Sequence, residues 1–449
     1  SENKDMATLE LHENIDFLVS IDESLGSVLL VNGDYNKSYI SQIQHVRRRE
    51  TIAMTPANCL VALQKLIHIS VKETPSTLEA NKASVLSSIK TITGTNTKPL
   101  VGSSGLSIQY AIMMGLVDHA MQNHMGKAIK FVVPPNCYGG TNDQARRVAA
   151  SIDCVEVVDL PVDGDNDMVQ SIDAVLEQIA QQDAIAYIIA EIPTNPRVEV
   201  PDLEALKKVL SASRKTSSGE KATAPVFILD QTFCPNLHFL SDDATLSSVK
   251  AIAYASGSKF PSGGLCTAGY CIANKKGDVF TSKIALHLEL CDNEATNLQY
   301  EILARQLPSM NQRIMDAYKN TREFVNFIEE VLPQAKINFV SQVLANQGFT
   351  PSVFSLDLPT KGNTAQEKET YKRALNHKLI KAMITQIPDQ SKYCVSYGQL
   401  KGCYWTIPAT STQGTTKEGD KDYIARVSVS PQINLELHKK VFLDFVQNI

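Results

Sequence analysis

The chain has 449 residues, of which 43% are hydrophobic and 20% are charged. Its 43 basic and 48 acidic side chains leave a formal net charge of −5, whereas nucleic-acid-binding proteins usually carry a basic domain or stripe. No apolar run approaches the roughly 18 residues of a membrane-spanning helix, and the polar first ten residues lack the features of a signal peptide. We therefore expect a cytoplasmic protein with neither a nucleic-acid nor a membrane partner.

The order of the predicted elements indicates an α/β protein in three parts. Residues 1–83 are irregularly patterned and are assigned to an N-terminal arm or cap, residues 84–330 to a large domain and residues 331–449 to a C-terminal domain. Strands buried on both faces are predicted at Ala128–Val133, Val155–Leu160, Ala184–Ile192, Pro225–Asp230, Val249–Ser256 and Ala268–Asn274, because these runs are short, apolar on both faces and rich in Val and Ile. Helical periodicity at Met168–Gln182 and Asp202–Ser213 predicts crossover units and a mainly parallel sheet.

The remainder of the chain has a different pattern. Residues Leu290–Leu332 are predicted to be helical throughout and to connect the two domains. An α+β domain is then predicted from strand-like segments and a helical pattern, at Asn338–Val340, Val353–Leu358, Leu375–Ile387 and Ala425–Ser430. Polar segments at 211–224, 361–368 and 410–422 are predicted to be loops.

The nine cysteines do not indicate a disulfide framework. They are scattered without a Cys-x-x-Cys pair and mostly lie in apolar runs, so we expect buried thiols in a reducing compartment. The aspartates of segment 163–167 resemble the start of a calcium loop, but Met168 and Ala174 stand where that loop needs Gly and Glu. We expect a loop that caps the next helix, and no metal site is predicted.

Polar residues of unusual kinds follow several predicted strands. In chain order they are Tyr138, Asn195, Asp230 and Lys259. In open α/β sheets ligands bind at the carboxyl ends of the strands, so these side chains are candidates for one site. Ahead of them, Gly102–Gly105 precedes the helical stretch Leu106–Met121, and a helix N-terminus offers backbone amides to an anion.

Each of these residues alone has an ordinary explanation as a helix cap, a solvated amine or a turn residue. Together they supply what pyridoxal 5'-phosphate (PLP) chemistry requires. An amine binds the cofactor aldehyde covalently, a carboxylate keeps the pyridine nitrogen protonated, and an aromatic ring stacks on the cofactor. Hydroxyl groups and helix amides bind the phosphate.

In matching segments the chain resembles the Cys/Met-metabolism family of PLP enzymes, which includes the cystathionine γ-synthases and lyases, methionine γ-lyases and O-acylhomoserine sulfhydrylases. The segments run in family order between about residues 103 and 430 and read SSGLSI, YGGT, EIPTNPRVEVPDLEAL, LDQTFCP, SGSKFPSGG, SYG, IPATST and ARVSVS. EIPTNP and SGSK with LDQTF between them are specific to this family. The resemblance implies the aspartate-aminotransferase-like fold (fold type I), with a mainly parallel sheet in a large PLP-binding domain and a smaller α+β C-terminal domain.

The resemblance also implies a role for each matching residue at the cofactor ring. Lys259 would form the Schiff base and later move protons between substrate carbons, and Asp230 would pair with the pyridinium nitrogen. Tyr138 would stack on the ring and assist the leaving group. Asn195 would bond the ring hydroxyl, with Thr232 against the opposite ring face.

The phosphate and the substrate would be held by residues from several segments. The phosphate ligands implied by the resemblance are Ser104, Gly105, Leu106, Ser256 and Ser258. Arg426 would clamp the substrate α-carboxylate as a bidentate fork, with help from Ser396.

The match departs from the family in several places. Gly140 stands where methionine γ-lyases typically carry cysteine, which disfavours that assignment, and the insertion at 211–224 is unusual. A Tyr-x-Arg-x-x-Asn-Pro-Thr segment, which in relatives reaches a neighbouring subunit's phosphate site, reads HISVKETPSTLE here at His68–Glu79. Lys72 or one of Arg47–Arg49 are the candidates to replace it. Lys401 stands where relatives often carry Glu, which favours either a substrate with a distal acid group or an ordinary solvated lysine.

The predicted function is a PLP-dependent lyase or transferase of sulfur amino-acid metabolism. It would catalyse β- or γ-elimination or γ-replacement on a small amino-acid substrate and work as a homodimer or homotetramer. Two alternatives stay open. One is an enzyme of the same fold with another reaction, such as an aminotransferase or decarboxylase. The other is a catalytically silent PLP-binding relative with a regulatory role, which the altered Tyr-x-Arg segment motivates.

Overall fold

The structure is a computed structural model that describes residues 15–22, 26–40, 56–69, 77–162, 166–394, 399–407 and 424–449. Its strands are β1 Phe17–Asp22, β2 Gly26–Val31, β3 Leu100–Gly102, β4 Ile129–Val133, β5 Val155–Asp159, β6 Ile185–Glu191, β7 Val226–Asp230, β8 Lys250–Ser256, β9 Gly269–Ala273, β10 Lys336–Asn338, β11 Val353–Asp357, β12 Ser391–Tyr393, β13 Gly402–Ile407 and β14 Ile424–Ser428. Its helices are α1 Pro56–Leu66, α2 Leu78–Thr93, α3 Gly105–Asn123, α4 Gly139–Ser151, α5 Met168–Gln181, α6 Leu203–Ser211, α7 Thr281–Leu290, α8 Asn297–Gln306, α9 Met310–Val331, α10 Gln342–Asn346, α11 Ala365–Gln386 and α12 Leu435–Val446.

A seven-stranded sheet forms the centre of the large domain. Its strand order is β3-β9-β8-β7-β6-β4-β5. Strands β4 to β8 pair in parallel, while β9 pairs antiparallel with both β8 and β3. The six strands predicted in this region are therefore confirmed as β4–β9, and the predicted mainly parallel sheet is confirmed with them.

Helices cover both faces of this sheet, which explains why its central strands are mainly apolar on both faces. Along β4, Phe131 and Val133 belong to a buried cluster that contains side chains of α3, α4 and α7, while Val132 belongs to a second cluster with side chains of α5 and α6. Successive side chains of a strand point to opposite faces, so a central strand covered on both sides has few polar positions. In β4 the polar side chain is Lys130, which is buried and forms an ion pair with Glu156 of β5 at 2.6 Å. A fully buried apolar side chain such as Val or Phe contributes about 1.5–3 kcal/mol.

A second sheet of five strands lies in the C-terminal part of the chain, in the order β10-β11-β14-β13-β12. Its pairs are antiparallel except for β12 with β13. Side chains of α9, α11 and α12 pack with this sheet in a separate buried cluster, which includes Phe324, Leu379 and Phe442. The predicted α+β pattern is therefore confirmed. The three domain boundaries drawn from the sequence stay predictions.

Two sequence predictions about helices are wrong at their ends. The segment predicted to be helical over Leu290–Leu332 is interrupted between α7 and α8, where Asp292 has a φ of 50° and Thr296 begins α8 with a capping box to Gln299. Helix α11 begins at Ala365, ten residues before the predicted Leu375, with Thr364 and Glu367 in a second capping box. Its first turns are exposed, so they lack the apolar period on which the prediction depended.

Other predictions are partly confirmed or extended. The predicted strand at Asn338–Val340 lies two residues earlier, as β10, and the short strands β3, β12 and β13 were not predicted. Asp167 caps α5 by accepting the amide of Gln170 at 2.9 Å, as expected for the acidic loop.

All nine cysteines lie within the described residues and none is in a disulfide; five are buried, three are half-buried and Cys59 is exposed. Within the described ranges, no helix has the length and apolar character needed to cross a membrane.

Candidate active site

The carboxyl ends of three neighbouring strands carry the central polar groups of the site. Asp230 is the last residue of β7, and it lies opposite Glu191 of β6 on one side and Tyr254 of β8 on the other. The carboxylate of Asp230 accepts the backbone amide of Thr232 at 2.9 Å. Burial raises the pKa of Asp230, while the hydrogen bond from Thr232, the nearby Tyr254 hydroxyl and the charge of Lys259 act in the opposite direction. The site therefore contains a carboxylate held in place by hydrogen bonds.

Lys259 lies three residues beyond the end of β8, in a turn that closes back on itself. The carbonyl of Lys259 accepts the amide of Gly264 at 3.2 Å, and Gly263 and Gly264 have φ values of 63° and 80°, which L-residues with a side chain rarely adopt. Burial lowers the pKa of Lys259 to about 8, and the nearby charge of Arg426 acts in the same direction. An amine with this pKa is partly neutral near pH 7, so it is able to act as a nucleophile or a base.

Glu191 and Tyr138 form a second pair of titratable groups beside Asp230. The carboxylate of Glu191 accepts the backbone amide of Tyr138 at 2.6 Å, and its other oxygen is buried without a hydrogen-bond partner. Burial, and next the charge of Asp230, raises the pKa of Glu191 to about 8. Burial and both acids also raise the pKa of Tyr138 to about 12. Tyr138 is therefore a neutral phenol at pH 7, and Glu191 is mostly protonated there.

The start of α3 and the end of β8 form a group of hydroxyls and amides. Ser104 is the N-cap of α3, and its hydroxyl accepts the amide of Ser107 at 3.1 Å. The hydroxyls of Ser256 and Ser258 lie 2.8 Å apart. A Cβ on Gly105 would lie only 3.0 Å from Cα of Ser256, so the absence of a side chain allows the two elements to approach. Hydroxyls next to the positive end of a helix form an anion-binding arrangement.

A buried hydrogen-bond network fixes α3 and α4 relative to β8. The amide oxygen of Gln109 accepts the hydroxyls of Tyr254 and Thr141, each at 2.8 Å, and its nitrogen donates to Gln144 at 2.9 Å. Gln144 in turn donates to the carbonyl of Leu106 at 3.1 Å. These buried amides and hydroxyls therefore satisfy one another directly beneath the site.

Asn195 and Arg426 connect the two sheets. Asn195 lies in the loop after β6, and Arg426 is on β14 of the C-terminal sheet. Nη1 of Arg426 donates to Oδ1 of Asn195 at 2.5 Å. The guanidinium carbon of Arg426 also lies 4.6 Å from the ring centroid of Trp405 and 5.1 Å from that of Phe233. An arginine from the C-terminal sheet thus reaches the strand ends of the large domain.

The structure brings most of the predicted site residues to the same end of the large sheet. These are Ser104, Gly105, Leu106, Tyr138, Asn195, Asp230, Thr232, Ser256, Ser258, Lys259 and Arg426. Thr232 accepts the amide of Ser256 through its hydroxyl at 2.9 Å. Their roles toward a ligand stay predictions. Ser396, Lys72 and the segment Arg47–Arg49 lie outside the described residues. Lys401 donates to the carbonyl of Pro388 at 2.8 Å on the surface, which favours the ordinary solvated interpretation.

Three residues that the sequence predictions left without a role also lie in the site. Glu191 was part of the motif EIPTNP, and the signal that could have selected it is an acid at the end of an otherwise apolar strand. Phe233 and Trp405 carried no signal beyond that of core aromatics, because their contact with Arg426 arises only when distant segments meet.

A mainly parallel seven-stranded sheet with polar residues at its strand ends, followed by an α+β unit that contributes an arginine, is the architecture of fold type I. No family model matches the sequence, and no curated protein matches it. Solved structures do match. A cystathionine gamma synthase from Xanthomonas oryzae pv. oryzae, in complex with aminoacrylate and cysteine, is 15% identical with a TM-score of 0.58, over 82% of this chain and 86% of that chain.

Two further solved structures are equally similar. A cystathionine gamma-lyase from Lactobacillus plantarum, complexed with L-serine, is 16% identical with a TM-score of 0.58, over 82% of this chain and 85% of its own. A methionine gamma lyase from Micromonospora echinospora is 15% identical with a TM-score of 0.59, over 82% of this chain and 86% of its own. The chain therefore has the fold of these enzymes, and the predicted fold class is confirmed.

Proposed function

We propose that this protein is a PLP-dependent enzyme of sulfur amino-acid metabolism that catalyses elimination or replacement at Cβ or Cγ of an amino acid. The observation that carries this proposal is the placement of Lys259 and Asp230 at the ends of adjacent strands, where an amine of lowered pKa and a hydrogen-bonded carboxylate lie close together. The similar folds of a cystathionine synthase, a cystathionine lyase and a methionine lyase support the choice of reaction class.

The donor groups of the site fit PLP. Ser104, Ser256 and Ser258, with the first amides of α3, would hold the phosphate, and the close approach at Gly105 leaves these groups side by side. Asp230 would hold the protonated ring nitrogen. When bound, PLP supplies an aldehyde that reacts with amines and a pyridinium ring that stabilises negative charge on a substrate carbon.

Tyr138 and Asn195 would complete the cofactor pocket. A Cβ on Gly140 would lie 2.6 Å from Cε1 of Tyr138 and 3.1 Å from the side chain of Leu106, so the tyrosine ring lies across a glycine at the start of α4. This is a suitable place for an aromatic ring to stack on a flat cofactor. Because Asn195 accepts a hydrogen bond from Arg426 through its oxygen, its amide nitrogen is the atom that would donate to a ring oxygen.

Lys259 would hold the cofactor and then move a proton. Its pKa of about 8 allows the amine to take a proton from a substrate carbon and return it to another atom within the same site. Tyr138, as a neutral phenol, would donate a proton to a leaving sulfur or oxygen. Arg426 would bind the substrate α-carboxylate and so orient the carbon that loses its proton.

We also propose a cytoplasmic homodimer or homotetramer. The absence of disulfides among the nine cysteines is typical of a reducing compartment. Apolar side chains are exposed on β1 and α1, including Phe17, Val19, Leu60 and Leu63, and exposed patches of this kind mark association surfaces. Light scattering would distinguish a multiple of the 49.3 kDa chain mass from a monomer.

A substrate panel tests the reaction class. The PLP-loaded protein is incubated with L-cystathionine, L-cysteine, L-methionine and O-acylhomoserines, and released keto acid, ammonia and thiol are measured. We expect keto acid and ammonia in equal amounts from at least one of them, or a thioether when an O-acylhomoserine is supplied with a thiol. Keto acid formed only with an amino-group acceptor would indicate an aminotransferase. No reaction and no α-proton exchange in heavy water would indicate a silent relative.

A further inference from the structure

The guanidinium of Arg426 is held by two aromatic rings. Trp405 and Arg426 are directly paired across β13 and β14, and the guanidinium carbon lies 4.6 Å from the tryptophan ring centroid. Phe233, in the turn after β7, places its ring centroid 5.1 Å from the same carbon. Arg426 is 7% exposed and Trp405 is 1% exposed. Arginine over an aromatic face is attracted by the ring, more strongly when water is excluded.

This arrangement limits how Arg426 can meet a ligand. A guanidinium is planar, and its N–H groups point outward in that plane. The carbon of the Arg426 guanidinium lies over both rings, and Nη1 already donates to Asn195, so a ligand would meet the guanidinium through N–H groups at its edge. A carboxylate is the group that matches a guanidinium edge with two parallel hydrogen bonds. Since one ring comes from the C-terminal sheet and the other from the turn after β7, both parts of the molecule position the guanidinium before a ligand arrives.

We propose that Trp405 and Phe233 are positioning residues that hold Arg426 for an unsubstituted α-carboxylate, so that the site selects free amino acids over amines and amides. This inference rests on the proposed function, because it takes Arg426 as the group that meets the substrate. The new element is the positioning role of Trp405 and Phe233. Trp405 is the only tryptophan of the chain, so its fluorescence reports on this pocket alone.

A titration that requires no turnover tests the selectivity. Trp405 emission of the PLP-loaded protein is followed during addition of sodium propionate and, separately, of propionamide at the same ionic strength. We expect a saturable change with propionate and none with propionamide, because only the carboxylate pairs with Arg426. The change should disappear in Arg426→Met. Equal responses to both compounds, or a propionate response that survives in Arg426→Met, would overturn the proposal.

Substitution of Trp405 tests the positioning role. Affinities for L-alanine and for ethylamine, which is alanine without its carboxylate, are measured from the visible spectrum of the bound cofactor. We expect Trp405→Leu to lower the affinity for alanine about tenfold and the affinity for ethylamine less than twofold. Trp405→Phe keeps an aromatic face and should therefore retain most of the alanine affinity. Phe233→Leu should act like Trp405→Leu.

Phe442→Leu is the matched control, because it replaces another buried aromatic of the C-terminal part, away from Arg426. It should lower the melting temperature without changing the ratio of the two affinities. If Trp405→Leu lowers the affinities for both ligands equally, or lowers neither, the tryptophan has only a structural role. Failure of PLP to bind the wild-type protein would instead contradict the proposed function. The same propionate and propionamide titrations, made on the cofactor-free protein, would then test the selectivity of Arg426 separately.

Discussion

Two carboxyl groups, those of buried Glu191 and half-buried Asp230, lie side by side at the ends of neighbouring strands. Two negative charges on neighbouring residues of paired strands repel each other, so ionisation of either carboxyl disfavours ionisation of the other. Asp230 accepts the backbone amide of Thr232 and lies near the Tyr254 hydroxyl and the charge of Lys259, all of which favour its charged form. Glu191 receives one amide and has a second oxygen with no hydrogen-bond partner. We therefore assign the negative charge to Asp230 and the proton to Glu191 at neutral pH.

This assignment predicts how stability depends on pH. The native pKa of Glu191 is about 8, above its ordinary value of 4.5. Between these two values the native protein holds a proton on Glu191 that the unfolded chain has lost. The stability that Glu191 contributes is therefore complete below about pH 4.5 and is lost as the pH rises through 8. The free energy of unfolding of the cofactor-free protein should fall across this window, by at most about 1.4 kcal/mol per pH unit from this one proton. Urea unfolding at several pH values measures the slope.

Glu191→Gln is the matched variant for this prediction. Its amide oxygen can still accept the hydrogen bond from Tyr138, but the side chain does not titrate. The variant should therefore be less dependent on pH between 5 and 8 than the wild type. Identical slopes in the two proteins would contradict the raised pKa of Glu191.

The lowered pKa of Lys259 predicts the pH dependence of cofactor attachment. Only the neutral amine attacks an aldehyde, and burial brings the pKa of this amine to about 8. The rate of PLP attachment should therefore rise with pH and level off above about 8, whereas an ordinary lysine would still be gaining rate toward 10.5. Stopped-flow absorbance measures this rate. A rate that keeps rising tenfold per pH unit beyond pH 9 would contradict the assignment.

At this scale the sequence predicted which residues gather but not how they contact one another. The motif positions Lys259, Asp230 and Asn195 could be chosen because each follows an apolar strand. The contact of Trp405 with Arg426 could not, because it depends on the register of two strands separated by about twenty residues of sequence. The charge state of Glu191 likewise depends on a neighbour that the chain brings close only by folding.

At the scale of elements, the close approach of α3 to β8 predicts the effect of adding one methyl group. In Gly105→Ala the new Cβ would lie 3.0 Å from Cα of Ser256, so the helix start and the strand end must separate by a few tenths of an ångström. We expect PLP affinity to fall about tenfold, because these elements carry the groups that are proposed to hold the phosphate. Equilibrium dialysis with PLP measures the affinity.

Gly115→Ala is the control on the same helix. Its Cβ would lie 2.8 Å from the backbone nitrogen of Ile284, so it should strain the contact of α3 with α7 and lower thermal stability. Because this contact is away from the helix start, PLP affinity should stay within about twofold of the wild type. Equal losses of affinity in both variants would show that α3 acts only as a scaffold.

Strands were easier to predict than helix ends. The six large-domain strands are mainly apolar on both faces because helices cover both sides of the sheet. Their burial can therefore be predicted from the apolar runs in the sequence. The exposed first turns of α11 have no apolar period. Their signal was the capping box Thr364–Glu367, which lies in a segment whose polar composition had favoured a loop.

At the scale of the whole molecule, the site exists because the C-terminal sheet meets the strand ends of the large sheet. Arg426 of β14 hydrogen bonds to Asn195, and the hydroxyl of Ser355 on β11 donates to the carbonyl of Pro196 in the same loop. The sequence indicated two parts and a mainly parallel sheet. It could not indicate that the loop after β6 is where the two sheets join, because that contact spans more than 150 residues.

Lys259 is proposed to bind PLP covalently, and an absorbance spectrum tests this attachment. Wild-type protein mixed with PLP and freed of excess cofactor should retain a band at the edge of the visible range, which amino acids then shift and borohydride fixes to the chain. Lys259→Ala should lack the fixed label although its other lysines are unchanged. A wild-type protein without the band, or a variant labelled as fully as the wild type, would contradict the account.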